Sequence, residues 1–312
     1  MFGAILRFFA PPPPPPPPAL FDDVTIGVAL ACLAAAMAAV GVNLQRLGKQ
    51  RGLPAISVLG VFLATSCGAA DMASFQYAPQ SLLAPFASLG LVVNLALAPI
   101  HGEKIAALDG FCTLLVVAGV AACLSSASTE QPPRTPDELV ALATRPAFLM
   151  WVAVEAAVLG AAALRATTGA AQSTLTAIGY AVRAGVFGGC TVLCAKVLTE
   201  CMRAGAPTSS VLVVGGCAGL FALSQVVCLN AAVGRYSSLL IVPIFTATSL
   251  ATNASGGGIF FEEFAAFTAE QRRTYLLGVA LLLSGVSLIA SKAGSSGSMQ
   301  PGDAAAKAKK KK

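Results

Sequence analysis

Ser81 Leu82 Leu83 Ala84 Pro85 Phe86, set just after Ala78 Pro79, returns late in the chain as Ser238 Leu239 Leu240 Ile241 Val242 Pro243 Ile244. Each copy is followed by an acidic turn, at Glu103 in the first and Glu262 Glu263 in the second. Each turn is followed by an aliphatic helix with glycine before valine. These read Leu115 Val116 Val117 Ala118 Gly119 Val120 and Leu281 Leu282 Leu283 Ser284 Gly285 Val286. A unit of this size written twice points to an internal repeat, the arrangement on which many carriers are built.

The surroundings of the doubled unit are apolar. Hydrophobic residues make up 56% of the 312 and charged ones 11%, where soluble domains carry about a quarter charged. Mean hydropathy is +0.78. The apolar runs are continuous stretches of Ala, Leu, Val and Gly, about 20 residues long, as a membrane-crossing helix requires and a β-barrel strand does not. The chain therefore reads as an all-α polytopic membrane protein.

Nine segments emerge, at 24–43, 56–75, 80–100, 105–125, 147–164, 178–199, 209–231, 238–259 and 275–291. The fifth is short and carries Glu155, so it spans if Glu155 faces the bundle. Residues 1–23 form an extended tail whose eight prolines, 11–18, adopt a polyproline II rod. Residues 24–126 hold the first repeat with four spans, 127–146 the connecting loop, 147–292 the remaining five spans, and 293–312 a disordered basic tail.

Net charge is +6, and Lys307 with Lys309 to Lys312 supplies five positive charges. Charge thus gives no reason to expect nucleic acid as a partner. With nine spans, twelve of the loop and tail Lys and Arg residues fall on the side of Arg46, Lys49 and Arg51, and six on the other. Positive residues favour the cytosolic side, which puts the C-terminus in the cytosol and the N-terminus outside. Spans three and four match spans eight and nine, an odd shift, so the repeats run in opposite directions. Such inverted repeats place a shared site near the midplane and exchange conformations to give alternating access.

Nine cysteines lie in or beside apolar runs and read as small buried hydrophobes; with one histidine, His101, they suggest neither a disulfide framework nor a structural zinc. Gly188 Gly189, Gly215 Gly216 and Gly256 Gly257 Gly258 read as close helix contacts. No GxxxxGK[ST] loop and no catalytic triad occurs, so the expectation is a carrier rather than an enzyme, with no cofactor of its own.

Charged side chains at membrane depth cost about 2.5 to 3.5 kcal/mol, so those present face a cavity or a partner. Asp71 in the second span, among small neighbours, is the first candidate, and the metal-contacting one. Lys196 has Glu200 at i+4, a spacing that allows a pair; it could equally neutralise Asp71. Asn94, Gln225 and Asn230, with Asn253, Thr246, Thr248 and Thr252, offer neutral oxygens. Pro85 and Pro243 each free a carbonyl one turn earlier, which marks them as hinge candidates. Glu103, Glu262, Glu263 and Glu270 read as a solvated loop face, with recruitment of a cation as the alternative.

Three motifs in order carry a family likeness. Phe75 Gln76 Tyr77 Ala78 Pro79, Leu82 Leu83 Ala84 Pro85, Glu103 and Gly110 form the first; Thr191 Val192 with Lys196 the second; Gln225, Leu229 Asn230, Ala232 and Val242 Pro243 Ile244 the third. Together they resemble the core of the NIPA-type magnesium transporters, a branch of the drug/metabolite transporter superfamily. The resemblance implies a nine-helix carrier of Mg²⁺ and of other divalent cations, working without ATP hydrolysis, and it adds Gln76 to the transport path candidates. Where that family has a Gly-Glu pair in the second helix, this chain reads Cys67 Gly68, and its carboxylate stands three residues on at Asp71, on nearly the same face.

The expected partners are a divalent cation, the lipid bilayer and a second copy of the chain in a homo-oligomer. The alternative functions are a metabolite or drug exporter on the same fold and a non-transporting membrane adaptor whose basic tail binds anionic lipid. The host membrane is the plasma membrane or an endomembrane, the endoplasmic reticulum or endosome. Lys309 and Lys310 satisfy a cytosolic di-lysine retrieval pattern, though any lysine run fits it and a solvated polybasic tail is the default reading.

Overall fold

The computed structural model describes residues 22–101, 105–126, 134–169, 173–233, 235–236 and 238–295, all helix or connection with no strand among them. The polyproline rod, Glu103, Pro132 Pro133 and the lysine tail lie outside the described residues. Helix α1 (Asp23–Arg51) opens with Asp23 in its first turn and closes on Gly52, which takes the left-handed conformation at φ 67°. That closure is glycine's role, because other side chains resist positive φ. Pro54 then starts α2 (Pro54–Ser74), where its missing N–H would have lacked a helical partner anyway.

The third apolar run is not one helix. A single turn, α3 (Gln80–Leu83), passes into 3-10 helix at Ala84–Ser88, then α4 (Leu89–Leu97) and a second 3-10 turn at Ala98–His101. Pro85 and Pro99 stand in the two tightened segments. There follow α5 (Ala107–Ser126), α6 (Pro136–Ala143), α7 (Pro146–Thr168), α8 (Thr174–Arg203), α9 (Thr208–Val233), α10 (Ser238–Phe260) and α11 (Ala269–Ser295). Helix α6 falls in the stretch read from sequence as a plain connecting loop. Thr135 and Glu138 cap its start reciprocally, and Leu139 and Leu142 pack inward.

Seven helical stretches among the described residues are long and apolar enough to cross a membrane: Asp23–Gln45, Pro54–Ser74, Gln80–Ile100, Ala107–Ser126, Pro146–Thr168, Thr174–Arg203 and Thr208–Ala232. The chain is an integral, multi-pass membrane protein. Of the seven, α8 is the most enclosed, while α2, α7 and α9 lie at the periphery with their Leu, Val and Phe side chains outward.

Between lipid-facing helices there is little hydrophobic driving force, so small residues that admit close backbone approach set the packing. A Cβ placed on Gly41 of α1 would lie 2.7 Å from the Gly60 carbonyl oxygen of α2, and one on Gly189 of α8 would lie 2.5 Å from Thr252 Cβ of α10. Helices α5 and α11 pack through Gly119, 2.7 Å by the same measure from the Gly278 oxygen, and Gly285, 2.9 Å from the Cys112 oxygen. As numbers rise along α5 they fall along α11, so the two run antiparallel. Helices α8 and α10 run parallel, with Gly185 against Thr248 and Gly189 against Thr252.

Two glycine pairs expected at close contacts are there, at Gly188 Gly189 and within 256–258. The pair on α9 is not: Gly216 has nothing within 4 Å and Gly215 meets only the Leu198 side chain at 3.8 Å. Cysteines divide similarly. Cys112, Cys123 and Cys201 are buried, and on the peripheral α9 the two faces differ, with Cys228 buried and Cys217 exposed. Gly119→Leu is expected to cost about 1 to 3 kcal/mol through overpacking against α11. Thermal unfolding in detergent measures it, with Gly216→Ala as the comparison that loses nothing.

Candidate functional site

Asp71 faces a cavity of about 250 Å³ between four elements. Helix α1 supplies a wall of small side chains, Ala34, Ala35, Ala38 and Ala39. The broken third run supplies Gly90 and Asn94, and α10 supplies Phe245 and Thr246. Among the described side chains no lysine or arginine lines this space, and Asp71 is its one ionisable group. Asn94 accepts a hydrogen bond through Oδ1 from Asn43 Nδ2 at 2.6 Å, which ties α4 to α1 beside the carboxylate.

Of the candidates named from sequence, Asp71 and Asn94 meet here. Gln76 is exposed in the turn after α2, Asn230 is exposed on α9, and Gln225 faces α8 near Gly188. Pro85 is fully buried beside the cavity's α3–α4 wall. Pro243 lies in the first turns of α10, and its side chain is outside the described residues. Glu155 turns toward the bundle as a spanning α7 requires, its Oε2 accepting from Thr252 Oγ1 at 3.3 Å.

Lys196 does not line the cavity. It is buried, with Nζ 3.0 Å from Glu200 Oε1 in the i+4 pair that its spacing allows. The same ammonium donates to the carbonyl oxygens of Phe75 at 2.5 Å and Ala78 at 3.3 Å, and lies 5.7 Å from the Phe261 ring centroid. It thus holds the turn that joins α2 to α3.

Three more side chains from the second half hold the same turn. Glu263 accepts from the backbone N–H of Gln80 at 2.9 Å and of Ser81 at 2.7 Å, giving the first amides of α3 an anionic partner. Gln80 Nε2 donates to Asn253 Oδ1 on α10, and Gly257 lets the Gln80 side chain lie against α10. Tyr275 Oη donates to the Ser81 carbonyl at 3.1 Å. The last bond explains how Pro85 is accommodated. Residue 85 has no N–H to give the carbonyl four residues back, and Tyr275 supplies the missing donor. Gln80 Oε1 and Ser81 Oγ remain buried without a hydrogen-bond partner.

Glu263 was expected on a solvated loop face and is instead a structural anchor; its neighbour Glu262 pairs with Arg145 at 2.7 Å. Gln80 and Tyr275 were not singled out at all. The available signal was Pro85, which announces an orphan carbonyl at Ser81 without saying who satisfies it. Tyr275→Phe removes that donor alone and is expected to cost about 1 to 3 kcal/mol, the penalty for an unpaired buried polar group. A fall in detergent unfolding temperature for Tyr275→Phe, much larger than for Tyr180→Phe, which loses only an exposed hydrogen bond from Arg235, is the measurement.

The profile of the family described as "Magnesium transporter NIPA" matches residues 23–294. The chain belongs to the NIPA magnesium transporter family. Two relatives from Arabidopsis thaliana are similar to it. The probable magnesium transporter NIPA8 is 28% identical over 252 residues, 74% of this chain and 56% of NIPA8. The probable magnesium transporter NIPA6 is 22% identical over 230 residues, 71% of this chain and 69% of NIPA6. The chain therefore spans little more than half the length of NIPA8. No solved structure matches it. In this NIPA-family chain several residues of the motifs read from sequence meet at the clamped turn: Phe75 and Ala78 present the carbonyls, Lys196 holds them, and Pro85 creates the vacancy that Tyr275 fills.

Proposed function

We propose that this chain carries Mg²⁺ and other divalent cations across its membrane by alternating access, without hydrolysing ATP. The observation that carries the reading is the Asp71 cavity: among the described side chains it has a single anionic group and no competing cation, and it offers space for an ion, set among membrane-crossing helices. An intramembrane carboxylate so placed is a functional group by default, because its cost is otherwise unrecovered. The names of the relatives, both probable magnesium transporters, agree with that chemistry.

The mechanism calls for a nine-span bundle of inverted repeats, and two features favour one. Helices α10 and α11 are 23 and 27 residues long, enough to serve as the eighth and ninth spans. The contacts of α5 with α11 are reciprocal. Gly119 meets Gly278 and Leu282, while Gly285 meets Cys112 and Val116, and a constant offset of 166 residues takes 112, 116 and 119 to 278, 282 and 285. A residue set that contacts its own counterpart in this crosswise way is the mark of a two-fold relation.

With Arg46, Lys49 and Arg51 on the cytosolic side, the clamped turn after α2 lies on the outer side. This conformation is then closed there by Lys196, Asn253, Glu263 and Tyr275, all from the second half, gripping a turn of the first. The unpartnered Gln80 Oε1 and Ser81 Oγ gain water when the clamp opens, which offsets part of the bonds lost. The test is uptake into proteoliposomes that enclose a Mg²⁺-sensitive dye. Saturable uptake across a cation series is expected, and its absence under every gradient and voltage would sink the reading.

A further inference from the structure

We infer that the Asp71 cavity takes Mg²⁺ as the fully hydrated ion, gripped through its own water shell rather than by direct ligation. The inference rests on the proposed carriage of Mg²⁺ and specifies the form in which the ion enters the site. Replacing the whole water shell requires several protein oxygens converging at about 2.0 to 2.1 Å. The cavity offers one carboxylate, at Asp71, and the described residues contain no group of three His, Cys, Asp or Glu side chains placed to hold a metal. Asn94 Oδ1 is already engaged by Asn43, which leaves it one lone pair. That is enough to accept from a water but a poor substitute for a full ligand. Direct ligation here would give up one or two of the ion's six waters for a single carboxylate oxygen and a half-engaged amide oxygen, and Mg²⁺ dehydrates reluctantly.

Size points the same way. Six waters at about 30 Å³ each occupy roughly 180 Å³, within the cavity's volume of about 250 Å³. That room exists because its α1 wall is built from Ala34, Ala35, Ala38 and Ala39, and its α4 wall from Gly90. The polar atoms suit the outside of a hydrated cation. Its waters present protons outward, and the Asp71 carboxylate, Asn94 Oδ1 and Thr246 hydroxyl accept them. Selectivity would then follow the size and charge of the hydrated ion rather than the radius of the bare one.

Cobalt(III) hexaammine, whose ammonia ligands do not exchange, copies the hydrated ion and cannot be ligated directly. On the full-length protein it is expected to compete with Mg²⁺ for uptake and to raise the unfolding temperature. Asp71→Asn and Ala38→Leu, one removing the anion and the other filling the space, should each weaken that stabilisation at least about tenfold in apparent affinity. If Mg²⁺ is carried while hexaammine neither competes nor stabilises, the ion is ligated directly and the inference falls with the transport reading intact. Stabilisation that survives in Asp71→Asn also overturns it, since the probe then binds elsewhere. Stabilisation lost in both variants, with no Mg²⁺ uptake in the unaltered protein, supports the hydrated-cation site and removes the transport reading instead.

Discussion

Asp71→Asn should reduce Mg²⁺ uptake at least about a hundredfold while leaving the protein folded. A unit charge pair at 4 Å is worth about 4 kcal/mol at an effective dielectric constant near 20, and twice that for a divalent ion. Part of this is lost to the ion's own hydration, yet each 1.4 kcal/mol that remains is a factor of ten. Among the described residues no second carboxylate lines the cavity to take over. Asparagine preserves the shape of the side chain and removes a charge that is costly at membrane depth, so unfolding temperature should hold or rise. Asp71→Glu keeps the charge one methylene further out and should retain partial uptake. Uptake unchanged in Asp71→Asn, with the variant inserted and folded, would place the ion's path elsewhere in the bundle.

How far this site could be read in advance differs from residue to residue, for physical reasons. Asp71 stood out because a charge in an apolar run is anomalous wherever it points. Periodicity told which face of α2 it shares, but the azimuth of that face relative to α4 depends on how Gly41 and Gly60 let α1 and α2 cross, so the meeting with Asn94 was not legible. The Lys196–Glu200 pair was legible, since both partners lie on one helix. The reach of the same ammonium to Phe75 and Ala78 spans 121 and 118 residues of sequence. Pro85 was legible as a break and opaque in its remedy, because Tyr275 is 194 residues from Ser81. Identical Gly-Gly dipeptides behaved differently at 188–189 and 215–216 because one lies between α8 and α10 and the other on a peripheral helix; composition carries no information about that.

The largest effect on stability is expected at Lys196. In Lys196→Met, Glu200 stays in a site where its side chain is 3% exposed and loses its ammonium partner; removing one member of a buried pair costs about 3 to 5 kcal/mol. That is a large part of the 5 to 15 kcal/mol that holds a typical domain together, so a steep drop in unfolding temperature follows. Lys196→Met with Glu200→Leu removes both charges and should restore most of the charge penalty, because well-packed apolar replacements of buried pairs are about neutral. Restoration will be incomplete in a telling way. The carbonyls of Phe75 and Ala78 still lack the donor that Lys196 provided, a residual cost of about 1 to 3 kcal/mol. The double variant should therefore fall between the single variant and the unaltered protein in a detergent unfolding series. A double variant as unstable as the single one would mean that Lys196 acts through the carbonyls of the α2–α3 turn alone. Full recovery would mean that the turn is held by Glu263, Asn253 and Tyr275 without it, and that the buried pair serves α8 rather than the clamp.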